Sequence, residues 1–179
     1  MDFLSCLNFA DRKYDMLWGR DENMLSSLVL GSKGAVGSTY NYAAPLYHRL
    51  MAAYEEQELE RANALQQKSI DMITLLGKYG GIATGKAYMK LVGVDCGEFR
   101  LPVRNMDEAA FGAFRKEVDG LGFDGFKSLA PRAPGLGANH AETALHGFTD
   151  VDGNTASRGL PGCQSGPAFV VGRVFLAGG

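Results

Sequence analysis

The sequence predicts an α/β fold in which helices outnumber strands. Between Tyr14 and Thr39, two short apolar runs end in polar clusters and flank a stretch of helical length. This pattern is typical of a strand–helix–strand unit. From Pro45 to Gly120 apolar residues then recur mostly at helical spacing. We therefore expect two neighbouring parallel strands covered by a layer of helices.

The strand–helix–strand unit divides into three predicted elements. The strands are Tyr14–Trp18 and Gly34–Thr39, and the stretch Asn23–Leu30 between them is apolar nearly all round. A helix of that character is predicted to be buried between a sheet and its neighbours. Gly31 suits its end, because glycine adopts the left-handed conformation at little cost. A short helix over Asp2–Ala10 precedes the unit.

The following layer consists of predicted helices over Pro45–Tyr54, Glu55–Tyr79, Ile82–Val92 and Met106–Gly120. Proline suits the first turn of the earliest helix. The longest helix carries an apolar stripe and places glutamate, glutamine and lysine on its other face. The stripe consists of Leu59, Ala62, Leu65, Met72 and Leu76.

The periodicity ends near Leu129. Residues 130–179 are rich in glycine, proline and alanine, which predicts a disordered or poorly packed tail rather than a second domain. Within Ala168–Ala177, the run FVVGRVFL could form an isolated strand. Without a partner, such a strand would present an aggregation-prone edge.

Composition excludes several classes of protein. A formal net charge of −2 offers no field that would attract nucleic acid or an anionic membrane surface. No run of about 18 apolar residues predicts a membrane span. The three cysteines lie far apart and form no zinc or disulfide pattern, and the first residues make a poor signal peptide. We expect a cytoplasmic protein without a metal site.

Two adjacent acids are the first candidate site residues. Asp21 and Glu22 follow Gly19 just beyond the first predicted strand. Ligands of α/β folds bind at the carboxyl ends of strands, and carboxylates accept hydrogen bonds from ligand hydroxyls. The same acids could instead complement the dipole of the following helix. Two adjacent acids can serve both purposes.

Hydroxyl groups follow the second predicted strand. Ser38 and Thr39 come directly after Gly37, where they could contact a polyol or a carboxylate. An ordinary turn or N-cap role explains them equally. His48 has no acid or cysteine at a useful spacing, and no lysine lies in a context that argues for a catalytic amine.

Four separated motifs carry a family resemblance. WGRDE, GSKGAVGSTYN, GKAYMKLVG and RLPV occur in this order. Together they resemble the C-terminal part of the N-acetylneuraminate lyases, a branch of the dihydrodipicolinate synthase-like class I aldolases. The resemblance spans Met1 to Leu129. It implies a (β/α)8 barrel with extra C-terminal helices, of which this chain would form the last two strands and the helical layer. It also implies a homotetramer that needs no metal or cofactor.

The resemblance also implies an activity and a site. By motif match, Gly19, Asp21, Glu22 and Ser38 would hold the hydroxyl-bearing part of the sugar. The family splits N-acetylneuraminate into N-acetylmannosamine and pyruvate by a retro-aldol reaction. A lysine forms the Schiff base and a tyrosine moves protons.

The motif that carries the family's lysine, GxKxxD, would lie before the segment that Asp2–Ala10 resembles. Neither the lysine nor the tyrosine can be assigned in this chain, so we expect it to be inactive alone. One alternative is a non-catalytic chain that associates with another polypeptide. Another is an enzyme of the same superfamily that acts on a different 2-oxo acid.

Overall fold

The computed structural model describes residues 3–129 in full and the backbone of 172–175. The helices are α1 Phe3–Asn8, α2 Met24–Val29, α3 Tyr40–Glu55, α4 Leu59–Lys78, α5 Ile82–Leu91 and α6 Glu108–Gly120. The strands are β1 Gly34–Gly37 and β2 Gly172–Phe175, and short 3-10 turns lie at Phe9–Arg12, Asp21–Asn23 and Phe123–Gly125. The described part is mostly helical, as the sequence predicts. None of its helices is both long enough and apolar enough to cross a membrane.

The predicted parallel pairing is present as a single bridge. Trp18 lies beside Ala35 of β1 in parallel orientation. The Trp18 amide donates to the Gly34 carbonyl at 3.0 Å, and the Val36 amide donates to the Trp18 carbonyl at 2.8 Å. Because parallel neighbours end at the same edge, the residues that follow Trp18 and β1 are brought together.

Both predicted strands are shorter in the structure. Within Tyr14–Trp18 only the last residue pairs, so the prediction is wrong for the four residues before it. β1 ends at Gly37 because the chain then turns into α3, with Thr39 in the helical region as its N-cap residue. A strand exists only where a neighbour supplies ladder hydrogen bonds.

The strand β2 gives β1 a second neighbour. It pairs antiparallel, with Gly34 opposite Phe175 and Gly37 opposite Gly172. This segment lies in the run FVVGRVFL, for which the sequence offered no partner. The prediction that residues 130–179 are disordered or poorly packed otherwise lies outside the described residues.

The core is built around α3, which packs against α4 and α5. Its buried side chains include Tyr42, Leu46, Tyr47 and Leu50, each 0–1 % exposed. Tyr42 stacks on Tyr88 of α5, with ring centroids 4.6 Å apart and an interplanar angle of 7°. Burial of apolar area on this scale is the main source of folding free energy.

Helix α3 begins earlier than the sequence predicts. The sequence placed its start at Pro45, whereas the helix runs from Tyr40 and contains the proline. Ala43 departs from helical geometry, with φ −138° and ψ 27°. Proline donates no hydrogen bond, and its ring crowds the carbonyl four residues earlier, so the chain kinks just before it.

Helix α2 is not buried on all sides. Met24 and Leu28 face the core, but Val29 is 66 % exposed. The all-round apolar pattern of this segment therefore overstates its burial. Only one face of this six-residue helix meets α3 and α4.

Helix α4 departs from the predicted pattern at one position of the stripe, Leu59, and on the face that was predicted to be polar and exposed. Ala62 and Met72 are fully buried as predicted, but Leu59 opens the helix and is 54 % exposed. The sequence placed glutamine on the outer face, whereas Gln66 is 8 % exposed and Ser69 is fully buried. The inner face of α4 is therefore partly polar, and these polar residues face the site.

Candidate functional site

The four predicted site residues lie around one open pocket of about 200 Å³. Its lining consists of Gly19, Asp21, Glu22, Gly37, Ser38, Thr39, Ile73 and Leu76. The first six follow Trp18 or end β1, so the pocket lies at the carboxyl end of the bridged pair. The last two come from α4 and form an apolar side. The structure thus brings all four predicted residues together.

Asp21 is the most buried acid of the pocket, with 6 % of its surface exposed. Its Oδ2 accepts hydrogen bonds from the Thr39 amide at 3.2 Å and from the Thr39 hydroxyl at 2.5 Å. Its Oδ1 is buried without a hydrogen-bond partner among the described residues. Burial raises the pKa of Asp21, the hydrogen bonds from Thr39 oppose the rise, and the Glu22 charge adds to it.

A ring of hydroxyl groups connects Asp21 to α3 and α4. The Thr39 hydroxyl lies 2.7 Å from the Tyr47 hydroxyl, which lies 2.8 Å from the Ser69 hydroxyl. The ring closes because Ser69 donates to the Asp21 main-chain carbonyl at 3.2 Å. Gln66 Nε2 donates to the same carbonyl at 3.2 Å. Both the side chain and the backbone of Asp21 are therefore held in place.

Glu22 lies in a different environment. Its side chain is 36 % exposed, and Arg20 donates to its Oε1 from Nε at 3.1 Å and from the guanidinium Nη2 at 2.9 Å. Burial acts to raise the pKa of Glu22, but its own backbone amide and the Arg20 guanidinium outweigh that effect, so the pKa is lowered. The pKa values of these two adjacent carboxyls are therefore shifted in opposite directions.

Gly19 and Ser38 mark the two chain turns that border the pocket. Beside Gly19, the Trp18 indole N–H donates to the Arg20 carbonyl at 2.6 Å. The Ser38 carbonyl accepts from the side-chain amide of Asn41 at 3.0 Å. Both residues line the pocket.

The two acids also lie where the alternative structural role, beside the start of the following helix, requires them. Asp21 and Glu22 occupy a 3-10 turn, Asp21–Asn23, that leads directly into α2. Carboxylates at this place complement the dipole of the helix that follows. The two acids therefore have a structural role and also line the pocket.

Sequence reasoning missed Tyr47, Gln66 and Ser69 and weighed Thr39 only as a turn residue or a polyol contact. The signal was present in α4, because Gln66 and Ser69 lie four and seven residues after buried Ala62. Positions at that spacing share one helix face. Polar residues within an apolar stripe indicate buried hydrogen bonding.

No group of three or more His, Cys, Asp or Glu side chains suited to a metal ion occurs in the part of the chain that the structure describes. The pocket lining offers two carboxylates of different character and one serine hydroxyl. Such groups bind neutral hydroxyls by donating and accepting hydrogen bonds.

Residues 4–120 match the dihydrodipicolinate synthetase family. This chain belongs to that family. Among its curated relatives, the N-acetylneuraminate lyase of Rattus norvegicus is 37 % identical to this chain over 132 residues. That alignment covers 72 % of this chain and 41 % of the rat protein. The chain therefore spans about two fifths of the length of the curated relatives it matches.

Solved structures agree with this assignment. The N-acetylneuraminate lyase of Proteus mirabilis matches with a TM-score of 0.65 and 36 % identity, covering 68 % of this chain and 41 % of that one. The enzyme of Aliivibrio salmonicida matches with a TM-score of 0.65 and 31 % identity, covering 68 % and 40 %. The predicted resemblance to the N-acetylneuraminate lyases of this family is confirmed.

Proposed function

We propose that this chain forms the sugar-binding side of an N-acetylneuraminate lyase-type carbon–carbon lyase. The observation that carries the proposal is that Gly19, Asp21, Glu22 and Ser38 line one pocket. The proposed substrate is N-acetylneuraminate, which the complete enzyme would cleave to N-acetylmannosamine and pyruvate through a Schiff base.

The chemistry of the pocket supports a sugar ligand. Glu22 offers a partly exposed carboxylate, and Ser38 offers a hydroxyl that can both donate and accept. Ile73 and Leu76 offer an apolar surface for the carbon-bound hydrogens of a sugar. A few placed polar groups beside an apolar wall are typical of small-molecule sites.

The fold of the complete protein is part of the same proposal. Trp18 and β1 would be the last two strands of a (β/α)8 barrel, with α3 to α6 as the helical layer. Such a barrel binds its substrate at the carboxyl ends of its strands, which is the edge that this pocket occupies. Relatives that resemble this chain would assemble as homotetramers.

Titration with N-acetylmannosamine tests the sugar site. We expect saturable chemical-shift changes at the Gly19 and Ser38 amides. Glu22→Gln and Ser38→Ala should each weaken binding about tenfold, the effect of roughly 1.4 kcal/mol. Glu108→Gln, which removes an exposed acid of α6, is the matched control. Absence of saturable binding, or equal weakening in the control, would contradict the proposal.

The lyase reaction requires an amine that forms an imine with pyruvate. We propose that the Schiff-base lysine and the proton-moving tyrosine are not among these 179 residues. Treatment with pyruvate and borohydride should then leave the mass of the chain unchanged. A stoichiometric pyruvate adduct would refute this part of the proposal.

A second candidate function is association with another polypeptide. Phe9 and Tyr14 are 66 % and 52 % exposed, and their rings stack with centroids 6.1 Å apart. They lie on the segment that leads into Trp18, and an exposed aromatic pair is a common contact for a partner. Size-exclusion chromatography with light scattering tests this idea. A compact soluble monomer would count against it.

A further inference from the structure

Strand β1 has two backbone edges, and Trp18 pairs with only one of them. The Gly34 carbonyl and the Val36 amide are bonded to Trp18. Along a strand, the main-chain groups of successive residues point alternately to its two sides. The amides and carbonyls of Ala35 and Gly37 therefore point to the opposite side, which we call the outer edge of β1.

Strand β2 occupies the outer edge. It runs antiparallel to β1, with Ala35 opposite Val174 and Gly37 opposite Gly172. In an antiparallel pair, opposite residues alternately exchange two hydrogen bonds and none. Because the main-chain groups of Ala35 and Gly37 point toward β2, these two pairs are the hydrogen-bonded ones.

The outer edge requires a strand partner. With β2 in place, Ala35 is 1 % exposed, which leaves little access for water to its main-chain groups. A buried amide or carbonyl without a hydrogen bond costs free energy. β2 also lies beside α3, so two elements border it. An edge of this kind, when open, is a template for pairing with another chain.

A closed barrel would require the same edge. Under the proposed function, β1 is the last strand of a (β/α)8 barrel, in which every strand has two parallel neighbours. The strand that ends at Trp18 is one neighbour, and the first barrel strand would be the other. That strand would bond to the main-chain groups of Ala35 and Gly37, which β2 already pairs in the antiparallel direction. The two arrangements therefore exclude each other.

We propose that the outer edge of β1 is a strand-binding surface and that residues 172–175 are its intramolecular cap. The surface binds one extended segment through main-chain hydrogen bonds, as in strand addition. The cap belongs to the same chain, which gives it a high effective concentration. Another strand, including the first barrel strand, must displace the cap, a step that rests on the proposed function. Because Gly37 also lines the pocket, the cap lies next to the site.

Hydrogen exchange on the full chain tests the cap. In the wild type, the amides of Ala35 and Gly37 should be protected like that of Val36, which donates to Trp18. Val174→Pro removes the amide that faces Ala35, because proline has no N–H. We expect exchange at Ala35 and Gly37 to become more than about tenfold faster while exchange at Val36 stays unchanged. Unprotected Ala35 and Gly37 amides in the wild type would overturn the proposal.

Arg173→Pro is the matched control. The Arg173 amide points away from β1, because Arg173 lies opposite Val36 in a pair without hydrogen bonds. Proline is tolerated on an edge strand where the missing N–H would face outward. Exchange at Ala35 and Gly37 should therefore stay close to that of the wild type. Equal acceleration in Val174→Pro and Arg173→Pro would overturn the pairing of the cap.

A free peptide tests whether the surface binds a strand from another molecule. A peptide with the native sequence of residues 168–177 is added at about 1 mM to the full Val174→Pro chain. We expect protection to return at Ala35 and Gly37. The same peptide with the Val174→Pro change should restore none. Absence of recovery with the native peptide would overturn the strand-binding surface.

A contact in the wild type tests the cap even if Val174→Pro folds poorly. The pair without hydrogen bonds, Val36 and Arg173, brings two Cα atoms to about 4.5 Å, so their Hα protons should give a strong nuclear Overhauser effect. Its absence would overturn the proposal. None of these measurements uses a sugar, so a failure of N-acetylmannosamine to bind would contradict the proposed function alone. Sugar binding together with unprotected Ala35 and Gly37 amides would contradict this inference alone.

Discussion

The carboxyl of Asp21 occupies the space that a side chain at Gly37 would need. A Cβ placed on Gly37 would overlap Asp21 Oδ1 and the carboxyl carbon. Because Thr39 holds the same carboxyl from its other oxygen, Asp21 cannot simply rotate away. The glycine that ends β1 and the acid that follows Trp18 therefore depend on each other.

Gly37→Ala should damage both folding and the pocket. We expect its free energy of unfolding to fall by about 1–3 kcal/mol, the usual cost of overpacking. Gly112→Ala is the matched control, because Gly112 lies on the exposed side of α6 with nothing within 4 Å of its Cβ position. That variant should gain up to about 1 kcal/mol from helix propensity. Urea denaturation measures both, and equal losses would refute the prediction.

The pH dependence of stability should show the raised pKa of Asp21. Between the ordinary value of 3.8 and the folded value, the folded chain binds more protons at Asp21 than the unfolded chain does. The contribution of Asp21 to stability is thus fully present below 3.8 and is lost as pH rises through the folded pKa.

Asp21→Asn isolates this contribution. Glu22 has a lowered pKa, so its own contribution is lost in the opposite direction, as pH falls. The free energy of unfolding of the wild type minus that of Asp21→Asn should therefore decrease as pH rises through the window. Asp119→Asn changes an exposed position of α6 and serves as the control background. The effect of Asp21→Asn should decrease with pH in that background as it does in the wild type. A difference that rises with pH would contradict the assignment.

A negative charge at position 66 should destabilise the fold. Its Oε1 accepts from the Leu25 amide at 2.9 Å, and its Nε2 donates to the Asp21 carbonyl at 3.2 Å. Gln66→Glu removes the donor and buries a carboxylate beside Asp21, so we expect a loss of about 1–3 kcal/mol in the free energy of unfolding at neutral pH.

Gln67→Glu is the control for that substitution. Gln67 is the next residue of α4, is exposed, and donates from its Nε2 to Asp71 Oδ1 at 2.8 Å. Its effect should stay within about 0.5 kcal/mol. Thermal or urea unfolding compares the two variants, and similar losses would show that the buried contacts of Gln66 matter little.

Lys86 should stabilise the connection between α5 and α6. Its Nζ donates to the carbonyls of Cys96 at 3.1 Å and Glu98 at 2.9 Å, and it lies 4.2 Å from the centroid of the Phe99 ring. Lys86→Met keeps the aliphatic stem and removes these contacts. We expect faster hydrogen exchange at the Phe99 amide, which donates to Asn105 at 2.7 Å.

The matched control for that exchange experiment is Lys90→Met. Lys90 lies one helical turn further along α5 and 5.0 Å from the Phe111 ring. Its replacement should leave exchange at the Phe99 amide unchanged. Equal acceleration in both variants would show a general loosening of α5 rather than a specific effect of Lys86.

The ends of the helices in the helical layer were predicted well from local sequence pattern. Ile82–Leu91 and Glu108–Gly120 lie within two residues of their predicted ends, because glycines and a capping Asp107 mark those ends in the sequence. Asp107 accepts a hydrogen bond from the Ala110 amide at 2.8 Å, as an N-cap does. The strand at Tyr14–Trp18 was predicted less well, because its pairing depends on a neighbour outside the segment.

Sequence by itself determined the helical layer, the paired acids after Gly19 and the serine after Gly37, because turn residues and periodicity act over a few positions. Tertiary structure alone decided the environment of these groups. Thr39, Gln66 and Ser69 contact Asp21 across 18 to 48 residues of chain. Burial and hydrogen bonding over such separations depend on how α3 and α4 pack, and they give two adjacent carboxyls opposite shifts in pKa.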